Sequence, residues 1–218
     1  YIINASAPSP ESMKQILIDV LQVANALSAD TAASFNRSER MRIPIVAIGM
    51  GALGSQIFNH LVRAGFGQWT LIDDDLLLPH NCARHFLGDW AVGANKAEAM
   101  AQMANAILDG DDIAKSIPGN ILKRGEHNPS IEKAFEEAQL TLDFSASIAV
   151  SRDLASRPIK ARSMCAFLTP KGDGLILAAE DRKRQVRLDW LEMLHYRCIL
   201  NTKALRESLQ PSDTRFRY

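Results

Sequence analysis

The sequence has no charge excess, few cysteines and no membrane-length apolar run, and each lack excludes a class of protein. Lys plus Arg and Asp plus Glu both number 25, so the formal net charge is zero. That argues against a basic nucleic-acid platform and against a binder of anionic membranes. The cysteines are Cys82, Cys165 and Cys198, an odd number with no C-x-x-C spacing. Neither a zinc site nor a disulfide scaffold is indicated, and a reducing cytoplasm is the expected compartment. No apolar stretch approaches the ~20 residues of a membrane span, and no signal peptide opens the chain. Repeats and low-complexity segments are also missing. The chain starts at Tyr1 rather than Met and stops at Tyr218 in basic sequence, which marks it as an expected piece of something longer. What remains is an ordinary globular composition, with enough length for one α/β core and an extension.

That core is organised around Ile43 to Ser55. Ile43 to Ile48 is a nearly unbroken apolar run rich in β-branched residues, as a strand covered on both faces requires. Gly49, Gly51 and Gly54 follow at G-x-G-x-x-G spacing. The first glycine permits a tight turn, the second lets backbone approach a phosphate, and the third lets the helix pack closely on the strand. Free N–H groups and the helix dipole complete an anion site. Leu53 to Ala64 continues as a helix closed by Gly65, and Gln68 to Ile72 is a second strand ending in Asp73-Asp74-Asp75. Asp73 follows Gly54 by 19 positions, near the ~20 expected of an acid that hydrogen-bonds a ribose hydroxyl. A solvated acidic loop is the other reading of the three aspartates.

Upstream, residues 1–9 read as a linker. Residues 10–28 read as an amphipathic helix, with Pro10 at its first position and an apolar stripe of Met13, Ile16, Leu17, Val20, Leu21 and Ala24. The stripe is expected to pack on the core or across a dimer. Thr31 to Met41 reads as a polar connection carrying Arg37 and Arg40, with Arg42 just beyond. Downstream, residues 76–85 form a loop or short helical turn that places Asn81 and Arg84 near the mouth of the fold. Val92 to Asn95 opens a helix with Lys96 in its first turn. A cation there opposes the helix dipole, a misfit that a bound polyphosphate would repair. A third strand lies within 113–122, a helix over Ser130–Ala138, and a strand over Gln139–Leu142 ending at Asp143. An acid at that end lies on the ligand side of a parallel sheet. It could hold Mg²⁺ directly or through water, or cap the next helix, Ala146 to Ala155. Ala161–Leu168 and Leu175–Ala179 read as a hairpin, followed by helices over Val186–Leu200 and Lys203–Leu209. Cys165 reads as a packed small hydrophobe; Cys198, beside Arg197, as structural or as a thiol with a lowered pKa. The expected architecture is α/β: an N-terminal linker and amphipathic helix over 1–41, then one domain over 42–218 with a doubly wound, mostly parallel, Rossmann-like sheet and a mixed C-terminal extension.

Asp73-x-Asp75, then Asn81-x-x-Arg84-His85, then Gly93-x-x-Lys96-Ala97, then Asp143 form an ordered set over residues 43–155. It resembles the ubiquitin-activating (E1-like) superfamily, whose bacterial members include ThiF and MoeB. The resemblance implies ATP and Mg²⁺ as cofactors, with Gly49, Gly51, Ala52 and Gly54 as the nucleotide floor and Asp73 on the ribose. It also implies Asn81, Arg84 and Lys96 on the phosphates, Asp75 near phosphates and metal, and Asp143 as metal ligand. Arg84, Lys96 and Asp143 are then the catalytic set. The implied reaction is adenylation of the C-terminal tail of a ubiquitin-like protein, with a ubiquitin-conjugating-like protein or domain as partner. A homodimer is implied too, in which Arg37, Arg40 or Arg42 reaches the neighbour's ATP. Three departures stand out: His85 where Gln is usual, Ala52 for a common glycine, and Leu142-Asp143-Phe144-Ser145-Ala146-Ser147 where D-x-x-D-N is usual. With Glu180-Asp181-Arg182 and Trp190-Leu191-Glu192, they look more like relatives from bacterial ubiquitin-like conjugation operons, including antiphage ones. No cysteine here has the context of a thioester nucleophile, so that residue is expected beyond the chain, unless the protein only adenylates. An NAD(P)-dependent oxidoreductase would explain Gly49 to Asp73 but leave Arg84 and Lys96 idle. A non-catalytic scaffold is the third reading.

Overall fold

A computed structural model describes residues 10–14, 26–39, 41–108, 112–123, 125–169 and 172–208. Its elements are α1 (Pro10–Met13), α2 (Ala29–Phe35), β1 (Pro44–Ile48), α3 (Ala52–Arg63), β2 (Gln68–Ile72), α4 (Lys96–Ile107), β3 (Ala114–Ile117), α5 (Asn128–Glu137), β4 (Leu140–Asp143), α6 (Ile148–Ser156), β5 (Arg162–Leu168), β6 (Leu175–Ala179), α7 (Leu188–Asn201) and α8 (Lys203–Ser208). One six-stranded sheet runs in the order β3-β2-β1-β4-β5-β6. Every pairing is parallel except β5 with β6, which is the expected hairpin.

Alternation along β1 explains why helices cover both faces. Ile45 and Ala47 join a core with Phe58 and Val62 of α3 and Met100 and Ala104 of α4. Val46 and Ile48 point the other way, into a core with Ile131 and Phe135 of α5 and Val150 and Leu154 of α6. A strand buried on both sides has no polar alternation to display, hence the unbroken apolar run. Trp69, 1% exposed, meets the Phe58 ring edge-on at 5.1 Å between centroids and donates its indole N–H to the Phe66 carbonyl. Connections from β1 lead outward through β2 to β3, whereas β4 lies on the other side of β1 and leads to β5 and β6. The direction therefore reverses at β1, and a crevice opens beyond the C-terminal ends of β1 and β4.

One expectation is overturned. The stretch expected as a polar connection contains α2, capped by Ser28, whose hydroxyl accepts from the Thr31 N–H at 3.1 Å. It buries only Ala29, Ala32 and Ala33, so its apolar stripe is too small to stand out among polar neighbours. Residues 26–28 precede this helix in non-helical conformation, so a single helix over 10–28 does not extend to its expected end. Most of that helix, with Arg40, residues 1–9 and Leu209, lies outside the described residues.

Candidate functional site

The glycine turn sits at the crevice, and each glycine answers to a different constraint. Gly49 has φ +85°, and a Cβ there would stand 2.7 Å from the Ser145 backbone. At Gly54 a Cβ would fall 2.1 Å from the Gly49 carbonyl oxygen, so α3 could not lie so close to the turn. Around Gly51 a Cβ would meet nothing within 4 Å. Nothing inside the protein demands glycine at 51, and the space above it opens into the cleft, the place for close backbone approach by a ligand.

The cleft holds about 230 Å³ and is walled by Gly49 and Gly51, Asp73 to Asp75, Lys96, the segment Gly119 to Leu122, and Phe144, Ser145 and Ser147. Asp73 stands at the end of β2 and is tied to the turn itself. Its carboxylate accepts the Met50 N–H at 2.6 Å and the Asp75 N–H at 2.9 Å. Burial pushes its pKa up, against the pull of these two N–H groups and of nearby Lys96. Asp74 turns outward to Asn120 (3.2 and 3.3 Å) and Lys123 (2.9 Å) on the segment after β3. Its slight burial pushes the carboxyl upward, but those two partners outweigh that and hold it below the usual value. Carboxylate oxygens of the three aspartates lie within 4.8 Å of one another.

Lys96 is 8% exposed at the N-terminus of α4 and pairs with Asp75 at 2.8 Å. The electrostatic misfit read from the sequence is thus met by Asp75, whose side chain remains 68% exposed on the cleft side. Asn95, the buried N-cap of α4, places that lysine. Its carbonyl accepts from the Glu98 N–H, and its amide donates to the Asp73 and Asp75 carbonyls at 2.9 and 3.2 Å. Nothing in the sequence marked Asn95 beyond its position before a helix, although Asn is a strong N-cap former.

The remaining expected site residues lie apart from this cleft. Asn81 is in the 3-10 turn Pro79–Ala83, where its side-chain carbonyl accepts from the Leu78 N–H at 2.9 Å. Arg84 follows that turn and is exposed. Neither lines the cleft. Asp143 ends β4, one residue before cleft-lining Phe144, but it is 2% exposed and its oxygens are taken. Ser145 donates to one oxygen through both N–H and hydroxyl (2.9 and 2.6 Å), and the Ser151 hydroxyl donates to the other at 2.7 Å. Burial raises its pKa against those bonds. Asp143 lines instead a second cavity, between α6, the β5–β6 hairpin and α7. It reaches a metal in the cleft only if Ser145 and Ser151 release it. Ala52 begins α3 beside Gly51; Arg37 and Arg42 are exposed, Arg37 with φ +53°. Cys165 is buried, its thiol pushed up by burial, as a packed hydrophobe should be, and Cys198 is exposed on α7.

Residues 28–167 match the ThiF family. This chain belongs to the ThiF family. It is 36% identical over 100 residues to the ATP-dependent ubiquitin transferase-like protein Cap2 of Pseudomonas aeruginosa, covering 43% of this chain and 18% of that protein. Against Cap2 of Enterobacter hormaechei the identity is 42% over 77 residues, 35% of this chain and 12% of that protein. An uncharacterized protein of Sinorhizobium fredii, y4oA, is 30% identical over 153 residues, 62% of this chain and 25% of its own length. The chain thus spans a quarter or less of these relatives. Among solved structures, Escherichia coli MccB with succinimide aligns at a TM-score of 0.52 and 18% identity, covering 73% of this chain and 48% of MccB. The fold of this ThiF-family chain is therefore the expected Rossmann-like one. No helix among the described residues is long and apolar enough to cross a membrane.

Proposed function

We propose that this ThiF-family chain carries the site of an ATP- and Mg²⁺-dependent adenylation of the C-terminal carboxylate of a ubiquitin-like protein. One observation supports this above the others: the glycine turn, Asp73 and the Asp75–Lys96 pair wall a single cleft where the strand order reverses. An oxidoreductase would use the turn and Asp73 but has no need of a buried lysine held at the cleft by an exposed carboxylate. The Cap2 names point toward a ubiquitin-like substrate.

In the proposed reaction a carboxylate oxygen attacks the α-phosphorus of ATP. The new P–O bond forms as the bond to the β-phosphate oxygen breaks, leaving an acyl-adenylate and pyrophosphate. The nucleophile is already ionised, so no general base is needed; catalysis is positioning and charge neutralisation. The turn N–H groups at the head of α3 receive phosphate oxygens. Asp73 receives the ribose, and Lys96 exchanges part of its pairing with Asp75 for the phosphates. Arg84 and Asn81 join from the 3-10 turn if that turn swings toward the cleft on binding. Mg²⁺, when bound, would supply further neutralisation of the phosphates, with Asp143 as its proposed ligand only once Ser145 and Ser151 give up its oxygens. A homodimer with Arg37, Arg40 or Arg42 crossing to the neighbour, a conjugating partner, a later thioester step, a cytoplasmic setting and a role in antiviral defence belong to the same proposal.

The test is ATP–pyrophosphate exchange with the full-length protein and its ubiquitin-like partner. Carrier-dependent exchange that falls in Lys96→Ala and Arg84→Ala is expected. Its absence, or full exchange in both variants, refutes the assignment.

A further inference from the structure

His85 stands where the family resemblance expects Gln, and its surroundings give the imidazole a defined task. It is 6% exposed, beyond the 3-10 turn that carries Asn81. The Leu87 N–H donates to Nδ1 at 3.0 Å, which leaves Nε2 as the protonated nitrogen, 2.7 Å from the Met50 carbonyl oxygen. Met50 is the residue between Gly49 and Gly51, and its own N–H donates to Asp73. A chain of bonds therefore runs from Leu87 through the ring to the glycine turn and on to Asp73. A second tie runs alongside, from the Phe86 N–H to the Ser55 hydroxyl of α3 at 3.1 Å.

We infer that neutral His85 is a positioning residue of the nucleotide site, bridging the Leu87 amide to the Met50 carbonyl so that the glycine turn stays set for a nucleotide, and that protonation breaks the bridge at its Leu87 end. The inference rests on the proposed nucleotide-binding role of the turn. Protonation puts a hydrogen on Nδ1, which then faces the Leu87 N–H; that bond is lost, and the ring keeps Met50 but loses the anchor that sets its position. The charged group that acts on the ring is Lys96 on α4, which opposes an imidazolium. Burial dominates and, with Lys96, holds the ring below the ordinary imidazole range although the Met50 carbonyl pulls upward. The latch is therefore closed above that range and opens as pH falls through the lowered value. Gln supplies one acceptor and an N–H donor with no charge. The residue usual in the family can thus make the same pair of bonds without the acid limb.

Two readouts on the same chain test this. By long-range ¹H–¹⁵N NMR, His85 should be the Nε2–H tautomer and should titrate below the ordinary histidine value. In Mg-ATP binding followed with a fluorescent ATP analogue, His85→Ala should weaken affinity by about tenfold, the order expected for orphaning buried backbone partners. His85→Gln should restore wild-type affinity at neutral pH and keep it as pH falls through the His85 titration, where the wild type loses affinity. A ring with Nδ1–H, a glutamine variant as weak as alanine, or superimposable pH profiles for wild type and His85→Gln overturns the inference. If the wild type binds no Mg-ATP, the proposed function falls, while the tautomer and titration still judge the latch.

Discussion

Two of the carboxylate–cation pairs among the described residues are finished in opposite ways. At the turn after β6, Glu180 is fully buried and receives four donors: the Ser163 and Leu188 N–H groups and two nitrogens of Arg184. Arg184 spends its other nitrogen on the Arg157 and Ile159 carbonyls and reaches the Leu154 carbonyl as well. Nothing is left for a ligand, and one ion pair clamps β5, the end of α6 and the start of α7. At the cleft, Lys96 is buried but Asp75 is open, and Gly51 is crowded by nothing in the protein. Charges enclosed by their own chain build structure, whereas charges left half-enclosed at a strand-order reversal await a partner.

That contrast can be broken by substitution. Glu180→Ala leaves Arg184 buried without its carboxylate, and urea unfolding should show a loss of about 3–5 kcal/mol. A loss under about 1 kcal/mol would remove the clamp from the account. Lys96→Ala should behave in reverse. Its pair with a largely exposed partner contributes at most about 1 kcal/mol to stability. Adenylation should nevertheless fall by a factor on the order of 10²–10³, as when a transition-state charge loses one donor. Equal damage to fold and rate would erase the distinction.

Glycine variants sharpen it further. Gly51→Ala should keep the unfolding midpoint while weakening ATP by about tenfold, or about 1.4 kcal/mol. Gly54→Ala should damage both, because its Cβ would overlap the Gly49 carbonyl. The smallest effect is titrational. In carboxyl NMR, Asp73 and Asp143 should titrate above the ordinary aspartate value and Asp74 below it. The raised pair makes burial of charge costly near neutrality. Their contribution to stability is fullest below the ordinary aspartate pKa and declines as pH rises through their folded values. Asp74 has the opposite sign, contributing above the ordinary value and losing that as pH falls through its own. Replacement of Asp74 by Asn should flatten only the second limb.

What was readable in the sequence was whatever has a period or a glycine. The run Ile43 to Ile48, the G-x-G-x-x-G turn, β2 from Gln68 to Ile72 and the hairpin strand Leu175 to Ala179 follow from local sterics and burial alone. Lys96 in a first helical turn also announced itself, because a cation there needs an explanation, although Asp75 already supplies part of it. The missed features either carry little local signal or depend on residues distant in sequence. α2 hides because alanines carry little apolar signal. His85 looked like a departure until Met50 and Leu87 were placed around it. Asn95 gave no sign of bonding Asp73, and nothing in the string Glu180 to Arg184 announced the most enclosed ion pair among the described residues. Asp143 stands at the expected strand end, but Ser145 and Ser151, both local, turn its carboxylate away from the cleft.

The central claim, that the cleft is built for a triphosphate, is tested most directly by calorimetric titration of ATP, AMP and NAD⁺ into wild type and Lys96→Ala. The account predicts that Mg-ATP binds more tightly than AMP and NAD⁺, and that the substitution weakens ATP while leaving AMP nearly unchanged. NAD⁺ binding tighter than ATP, with ATP affinity indifferent to Lys96, would contradict it.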